Sequence, residues 1–265
     1  MKTRWIIGLV VVFFGLTLGL ALSEAEAKCA RDSVQVGKWC VDKYEVNVWE
    51  TKDKGTINKI KKGTATLAGL TADGTQRGAN SDDYGAGCPD NGNGCVDFYA
   101  VSIPGVTPSS LITWFQAAAA CRNAGKELLP NHIWQAAALG TPDPGESAAG
   151  SEDCNTKNGG GDGVNAVVAT GSRDNCFSDA GAFDMVGNLW EWVADWVPRA
   201  STCGIWAAGF GFDLGCMDGA AGDVLPGALR RGGHFGDGSS AGVFAVYGLD
   251  QPSDSHEGIG FRCGR

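Results

Sequence analysis

An irregular, loop-rich α+β domain is the fold class the sequence predicts, and three observations predict it. Glycine supplies 41 of the 265 residues and charged residues only 19%, the composition of a chain with many turns and modest helix content. Two segments in the middle carry helix start and stop signals. Beyond Leu189 the chain breaks into short aromatic stretches separated by Gly and Pro, which read as strands and loops. No internal repeat or interdomain linker interrupts it, and the apolar content of 43% is enough for a sizeable core, so one domain holds both kinds of element.

The N-terminus reads as a targeting segment. Lys2 and Arg4 form a basic start, Ile6 to Leu22 is almost entirely apolar, and Ala25-Glu26-Ala27 offers a small-x-small cleavage site. This is the pattern of a secretory signal peptide over residues 1–27, leaving a mature domain at 28–265. The alternative is a membrane anchor, but the apolar run is short against the usual span of about 20 residues. A lipid anchor on Cys29 is disfavoured because Lys28 precedes it. The expectation is export to the periplasm, the cell surface or the medium, with no membrane embedding after cleavage.

All ten cysteines follow that cleavage site, and in an exported chain an even count argues for disulfides. No CxxC pair supports a zinc ribbon or a thioredoxin-like centre. Short loops suggest Cys29 with Cys40, Cys88 with Cys95, Cys154 with Cys176 and Cys203 with Cys216; Cys121 and Cys263 remain, and would tie a helix to the C-terminus. The net charge of −9 argues against nucleic acid, whose phosphates need Lys and Arg. It is compatible with divalent cations.

The elements follow in order. Val41 to Val48 alternates and reads as a strand. Lys52 to Gly94 is polar and rich in Gly, Asp, Asn and Lys, and reads as a long surface excursion. Phe98 to Ile103 is a second strand. Thr113 and Gln116 form a capping box that opens a helix through Cys121, with Gly125 as its stop. A second helix follows Pro130, with Asn131 as its N-cap and Gly140 at its end; Trp134 and Ala138, four apart, face the core. Thr141 to Asp184 is loop. Its glycine run from Gly159 to Gly163 lacks the flanking strand and helix of a phosphate cradle.

Several segments, in this order, carry a resemblance: Asp42-Lys43-Tyr44-Glu45-Val46, Thr113-Trp114, Leu129-Pro130, Gly187-Asn188-Leu189-Trp190-Glu191-Trp192, and the ending that opens with Arg230-Arg231-Gly232-Gly233 and closes with Gly260-Phe261-Arg262-Cys263. From about Val36 to Arg265 the chain resembles the formylglycine-generating enzyme or sulfatase-modifying factor family, a variant of the C-type-lectin-like fold. The resemblance implies two main helices, short antiparallel sheets, and a disulfide between Cys121 and Cys263. It also implies structural calcium, an ion that takes six to eight hard oxygens. Asp184 and Glu191 would supply side-chain oxygens, and Gly187 and Leu189 carbonyls. A second site would use Asn155 and Thr156 with a later loop, for which Asp162 and Val164 are the candidates. The alternative is that Asp184 and Glu191 only cap turns. Trp190 and Trp192 read as core, and Arg231 and Arg262 as partners of buried acids or carbonyls.

The enzymes of that family bind copper through a cysteine pair. Here the equivalent positions are about Asp237 and Gly242, neither a thiolate, and Ser239 and Ser240 are no substitutes, so copper is not expected and no catalytic residue is assigned. The sulfoxide synthase branch needs a histidine-rich iron site, whereas His132, His234 and His256 are widely spaced. Ser239, His256 and Asp250 are near in sequence but lack a nucleophile elbow.

What remains is binding. Gly232 to Cys263 resembles the variable region of diversity-generating retroelement target proteins, in which template adenines are mutated and His, Tyr, Asp, Ser, Gly and Phe are among the products. His234, Phe235, Asp237, Tyr247, Gly248, Asp250, Asp254, His256 and Gly258 fit that set, with Ser240 beside them. They interrupt a framework, Ala241 to Ala245 and Ile259 to Arg262. Polar adaptable groups around aromatics suit a paratope-like surface. The expectation is a non-catalytic protein that binds a protein or glycan ligand there; an ordinary polar loop and a modifying enzyme with a divergent site are the alternatives.

Overall fold

The computed structural model describes residues 28–79, 84–142, 153–156, 166–220 and 225–265. The proposed signal segment, the glycine run from Gly159 to Gly163, and Val164 lie outside the described residues, as does Asp162 within that run. Strands β1 (Ser33–Val36) and β2 (Trp39–Asp42) form a hairpin, and the chain then enters β3 (Asn47–Glu50). The single strand expected over Val41 to Val48 is thus broken in the middle. Asp42 and Glu45 are both wholly buried, and the break lets each carboxylate turn inward to a polar partner instead of lying on a sheet face.

The stretch read as an excursion is more ordered than expected. It contains α1 (Lys54–Lys61), α2 (Leu67–Asp73) and β4 (Thr75–Arg77). Asp53 caps α1 by accepting from the Thr56 amide at 2.7 Å, and Thr66 caps α2 by accepting from Gly69 at 3.3 Å. Each helix buries little, Thr56 and Ile60 in one and Leu70 in the other, so that only Ile57 and Ile60, three apart, mark an apolar face in the first. Local capping and one or two anchors suffice because the helices lie on an existing layer. That layer is the sheet β4-β3-β5, whose last member β5 (Phe98–Val101) is buried throughout.

Helix α3 (Trp114–Asn123) begins with both halves of the capping box formed, Thr113 accepting from the Gln116 amide and Gln116 from the Thr113 amide. Its buried face is Gln116, which serves the cap, and the small residues Ala117, Ala119, Ala120 and Cys121, which let the helix approach β5 and β6 (Glu127–Leu128). Gly125 takes φ +74° just past the end, where a side chain would be strained. In α4 (Asn131–Ala137) the cap differs from expectation. Pro130 is the N-cap and Asn131 the first helical residue; the Asn131 amide donates to Oδ2 of Asp195 at 2.6 Å, so an acid from another element satisfies the helix start. Trp134 and Ala138 are wholly buried.

The remaining strands are β7 (Trp190–Val197), β8 (Thr202–Ile205), β9 (Leu214–Asp218), β10 (Gly227–Gly232), β11 (Gly242–Tyr247), β12 (Ile259–Phe261) and β13 (Cys263–Gly264). Six of them make the largest sheet, in the order β12-β7-β10-β11-β9-β8, and β13 joins a smaller sheet, β1-β2-β13-β6. Two ladders of the large sheet, β11 with β9 and β12 with β7, are parallel, so that sheet is mixed. Trp192, Trp134 and Phe261 are fully buried where these layers meet, each stabilising the fold by roughly 1.5–3 kcal/mol.

All five cysteine pairings anticipated from the sequence form: Cys29–Cys40, Cys88–Cys95, Cys154–Cys176, Cys203–Cys216 and Cys121–Cys263. The last joins α3 to β13 across 142 residues. No helix of the described residues is long and apolar enough to cross a membrane.

Candidate ligand-binding site

The site rests on a buried polar core. Arg262 is wholly buried and forks onto Glu191, with Nη2 2.7 Å from Oε1 and Nε 3.1 Å from each carboxylate oxygen. Its remaining donors reach the carbonyls of Asp42 and Phe183, at 2.9 and 2.6 Å. Burial works against the guanidinium charge, but Glu191, Glu45 and Asp184 outweigh it and raise the Arg262 pKa. Two of the acids are also raised, which for a carboxyl disfavours the charged form. Burial first, then the neighbouring Asp184 and Glu191 charges, pushes Glu45 well above the usual carboxylate range. Burial likewise raises Asp184, against hydrogen bonds from Gly171 and Thr170. Arg231 also sits where the sequence reading put it, donating to Gln135 and, at 3.2 Å, to the carbonyl of Val243, with its guanidinium 5.0 Å from the Trp134 ring centroid.

The loop from Asp184 to Asn188 turns sharply, with three residues at positive φ: Asp184 (58°), Gly187 (75°) and Asn188 (55°). At Gly187 a side chain would run into the carbonyl of Asn155, which itself accepts from the Asn188 amide at 2.8 Å. The residues expected to hold calcium are therefore neighbours, but they do not fit equally well. Glu191 accepts from Arg262 on both oxygens and from Trp134 Nε1 at 2.7 Å, so it faces a guanidinium where a calcium cage needs it to face the ion. Asp184 accepts from Thr170 and Gly171 on one oxygen, at 2.8 and 2.6 Å. Asn155 fits better. Its Oδ1 is buried with no hydrogen-bond partner among the described residues, while its Nδ2 donates to Ala166 and Asn188; an oxygen left in that state is one a hard cation satisfies.

The C-terminal residues meet at a pocket of about 200 Å³ on the large sheet, lined by Trp190, Leu214, Arg230, His234, Asp237, Tyr247, Asp250, His256, Gly258 and Ile259. Strand alternation explains its floor. Successive side chains of β10 point to opposite faces, so Arg231 enters the core while Arg230 faces the pocket. The Arg230 guanidinium lies 4.0 Å from the Tyr247 ring centroid and 5.1 Å from that of Trp190, and its Nη1 pairs with Asp250 at 2.5 Å. Burial lowers the Arg230 pKa against the pull of Asp250. Burial also raises Asp250, with Arg230 opposing and Asp254 adding to the rise.

At the rim, Asp237 accepts from the His234 amide at 2.8 Å and lies 3.0 Å from Nδ1 of the same residue. That nitrogen also accepts from the Gly236 amide at 3.2 Å. The two contacts need opposite protonation of one nitrogen, so the imidazole has two competing arrangements at the mouth.

Six of the residues singled out from the sequence thus line one pocket: His234, Asp237, Tyr247, Asp250, His256 and Gly258. Phe235 stacks on His234 with ring centroids 4.8 Å apart. Asp254 caps its own turn, accepting from the Gln251 amide at 2.8 Å, and Ser240 ends a short 3-10 turn. Gly248 is a correction. It is buried against Val197, Leu229 and Met217, its amide donates to Cys216 and its carbonyl accepts from Ala200, so it belongs to the sheet rather than to a surface. Arg230 and Trp190 were missed as lining residues. The adjacent arginines of the Arg-Arg-Gly-Gly motif were the available signal, since two neighbours in a strand cannot both enter the core.

Residues 16–265 match the model of the sulfatase-modifying factor enzyme 1-like domain. Among solved structures, the chain is similar to the Major Tropism Determinant P3c variant, at 18% identity and a TM-score of 0.50, covering 88% of this chain and 52% of that one. It therefore spans about half the length of that protein. PvdO from Pseudomonas aeruginosa is similar at 18% identity and TM-score 0.47, over 86% and 80% of the two chains. Treponema denticola variable protein 1 is similar at 16% and 0.46, over 85% and 84%. A comparison with curated proteins gives no match. The mixed α+β architecture is that of a formylglycine-generating-enzyme-type, C-type-lectin-like fold. With a family model spanning nearly all of it, the chain belongs to the sulfatase-modifying factor enzyme 1-like family.

Proposed function

We propose that this protein is an exported, non-catalytic binding protein that uses the C-terminal pocket and its rim to hold a protein or glycan ligand. The observation that carries this reading is the meeting of His234, Asp237, Tyr247, Asp250, His256 and Gly258 at one cavity although they span 25 residues of sequence. A rigid floor of Arg230, Trp190 and Tyr247 supports it, because a preformed site limits the entropy cost of binding. Each of the ten cysteines is bridged, which fits an oxidising compartment. The fold is one shared with a protein named as a tropism determinant variant.

The test is a glycan and surface-protein array probed with the wild type and with Tyr247→Ala and His256→Ala, the latter an exposed residue of the lining. Wild-type binding to a defined spot, weakened about tenfold or more in the variants with unchanged thermal unfolding, is the expected result. Variants that lose stability instead, or copper-dependent oxygen consumption with a cysteine-containing peptide, would sink the reading. Diversification by a retroelement is part of the proposal, and a near-copy of the 232–263 coding stretch, differing only at template adenines beside a reverse transcriptase gene, is what sequencing the flanks should reveal.

Calcium is proposed as a structural ion between Asn155–Thr156 and the loop Asp184–Leu189, on the strength of the unpartnered Asn155 oxygen. A calcium-dependent rise in unfolding temperature, reversed by chelator and absent in Asn155→Ala, is expected; an identical midpoint with calcium and with chelator rules it out.

A further inference from the structure

Resting on the binding reading above, we infer that the pocket takes a cationic group, an ammonium or guanidinium on a flexible stem, and turns anions away. Its size sets the first limit. At about 200 Å³ it is smaller than the roughly 300–1,000 Å³ of sites that enclose a drug-sized ligand, so it holds a single group about as large as one side chain.

The charges set the second. Two carboxylates, Asp237 and Asp250, and one guanidinium, Arg230, line the pocket. Behind them stand Asp254 and Arg199, both acting on Asp250 with opposite sign. With the imidazoles of His234 and His256 counted as neutral, the lining is net negative, in a chain whose net charge is −9.

Access decides between the signs. The Arg230 side chain is only 12% exposed, stacked on Tyr247 and Trp190 and paired to Asp250. Asp250 and Asp237 are 23% and 21% exposed. An entering group therefore meets carboxylate before guanidinium. An anion at Arg230 competes with Asp250 and sits against Asp237, whereas a cation can meet Asp237, whose Oδ2 already takes the His234 contacts, with the Arg230–Asp250 pair intact. The imidazole nitrogens and the Tyr247 hydroxyl offer it further acceptors.

The experiment uses the full oxidised chain and ligand-observed NMR with three probes: agmatine, an arginine-containing pentapeptide and glutarate. Agmatine should bind, bind less well as salt rises, and bind about five- to tenfold more weakly to Asp237→Asn. Glutarate should not bind. A peptide tighter than agmatine identifies a partner's side chain as the source of the cation; equal or weaker binding identifies a free amine, and either supports the inference. Glutarate binding in place of agmatine overturns the charge assignment and leaves the pocket as a ligand site. Binding of neither probe overturns the assignment and the pocket together. Equal agmatine affinity in the variant places the cation elsewhere and overturns it too. Should Asp237→Asn unfold, Asp250→Asn, which removes the other carboxylate of the lining, provides the same comparison.

Discussion

At Gly258 the pocket depends on the absence of a methyl group. A Cβ there would run into the imidazole of His234, a side chain that is partly exposed and free to swing outward. Gly258→Ala should therefore displace His234 from the rim, shifting its imidazole NMR signals and weakening ligand binding. The chemical denaturation midpoint should change by less than about 1 kcal/mol in stability, because the group that gives way is not in the core. A large loss of stability would mean that His234 is a structural residue. Gly248 makes the contrast. It was grouped with the binding residues on residue type alone, yet its missing side chain leaves room for Val197, Leu229 and Met217. Residue identity could not separate the two glycines, since what differs is the neighbour brought up by a distant strand.

The elements divide by how local their causes are. Helix α3 was legible because its cap is a sequence motif, and the cap is bonded as the motif requires. Thr113 also donates to the carbonyl of Asp90 at 2.6 Å, so its hydroxyl holds the preceding loop as well as the helix. Thr113→Ala should cost about 1–2 kcal/mol, read from urea denaturation, and Thr113→Ser should recover most of it. An unchanged midpoint for the alanine variant would show that the cap contributes nothing net. The start of α4 was misjudged by one position because its capping acid, Asp195, comes from β7. Helices α1 and α2 were missed altogether, although Asp53 and Thr66 stood in the sequence as caps. Each is only seven or eight residues long, and the Ile57–Ile60 face of the first is masked by the polar residues around it.

For the whole molecule, the closing constraint is the Cys121–Cys263 bridge. It spans 142 residues and brings the chain end beside α3, next to the Arg262 that locks Glu191. Removing it as Cys121→Ala with Cys263→Ala should cost about 2–5 kcal/mol. The Cys203–Cys216 bridge closes only 13 residues on the exposed edge strand β8, and its loss should lower the unfolding temperature less. Equal losses would argue that chain entropy is not what the long bridge controls.

By itself the sequence pointed to the family, suggested the five cysteine pairings, and marked the capped helix and the segment whose residues line the pocket. Each is written in local spacing or in the order of short motifs. Only the tertiary structure decided how that segment is used. It separated Arg230 from Arg231 across a strand, buried Gly248, turned Glu191 toward Arg262, and set Trp190 beneath a guanidinium. These outcomes depend on which strands lie side by side, and in the order β12-β7-β10-β11-β9-β8 most neighbours are remote in sequence. Pairing of that kind is decided by packing the whole domain at once, which no window of residues records.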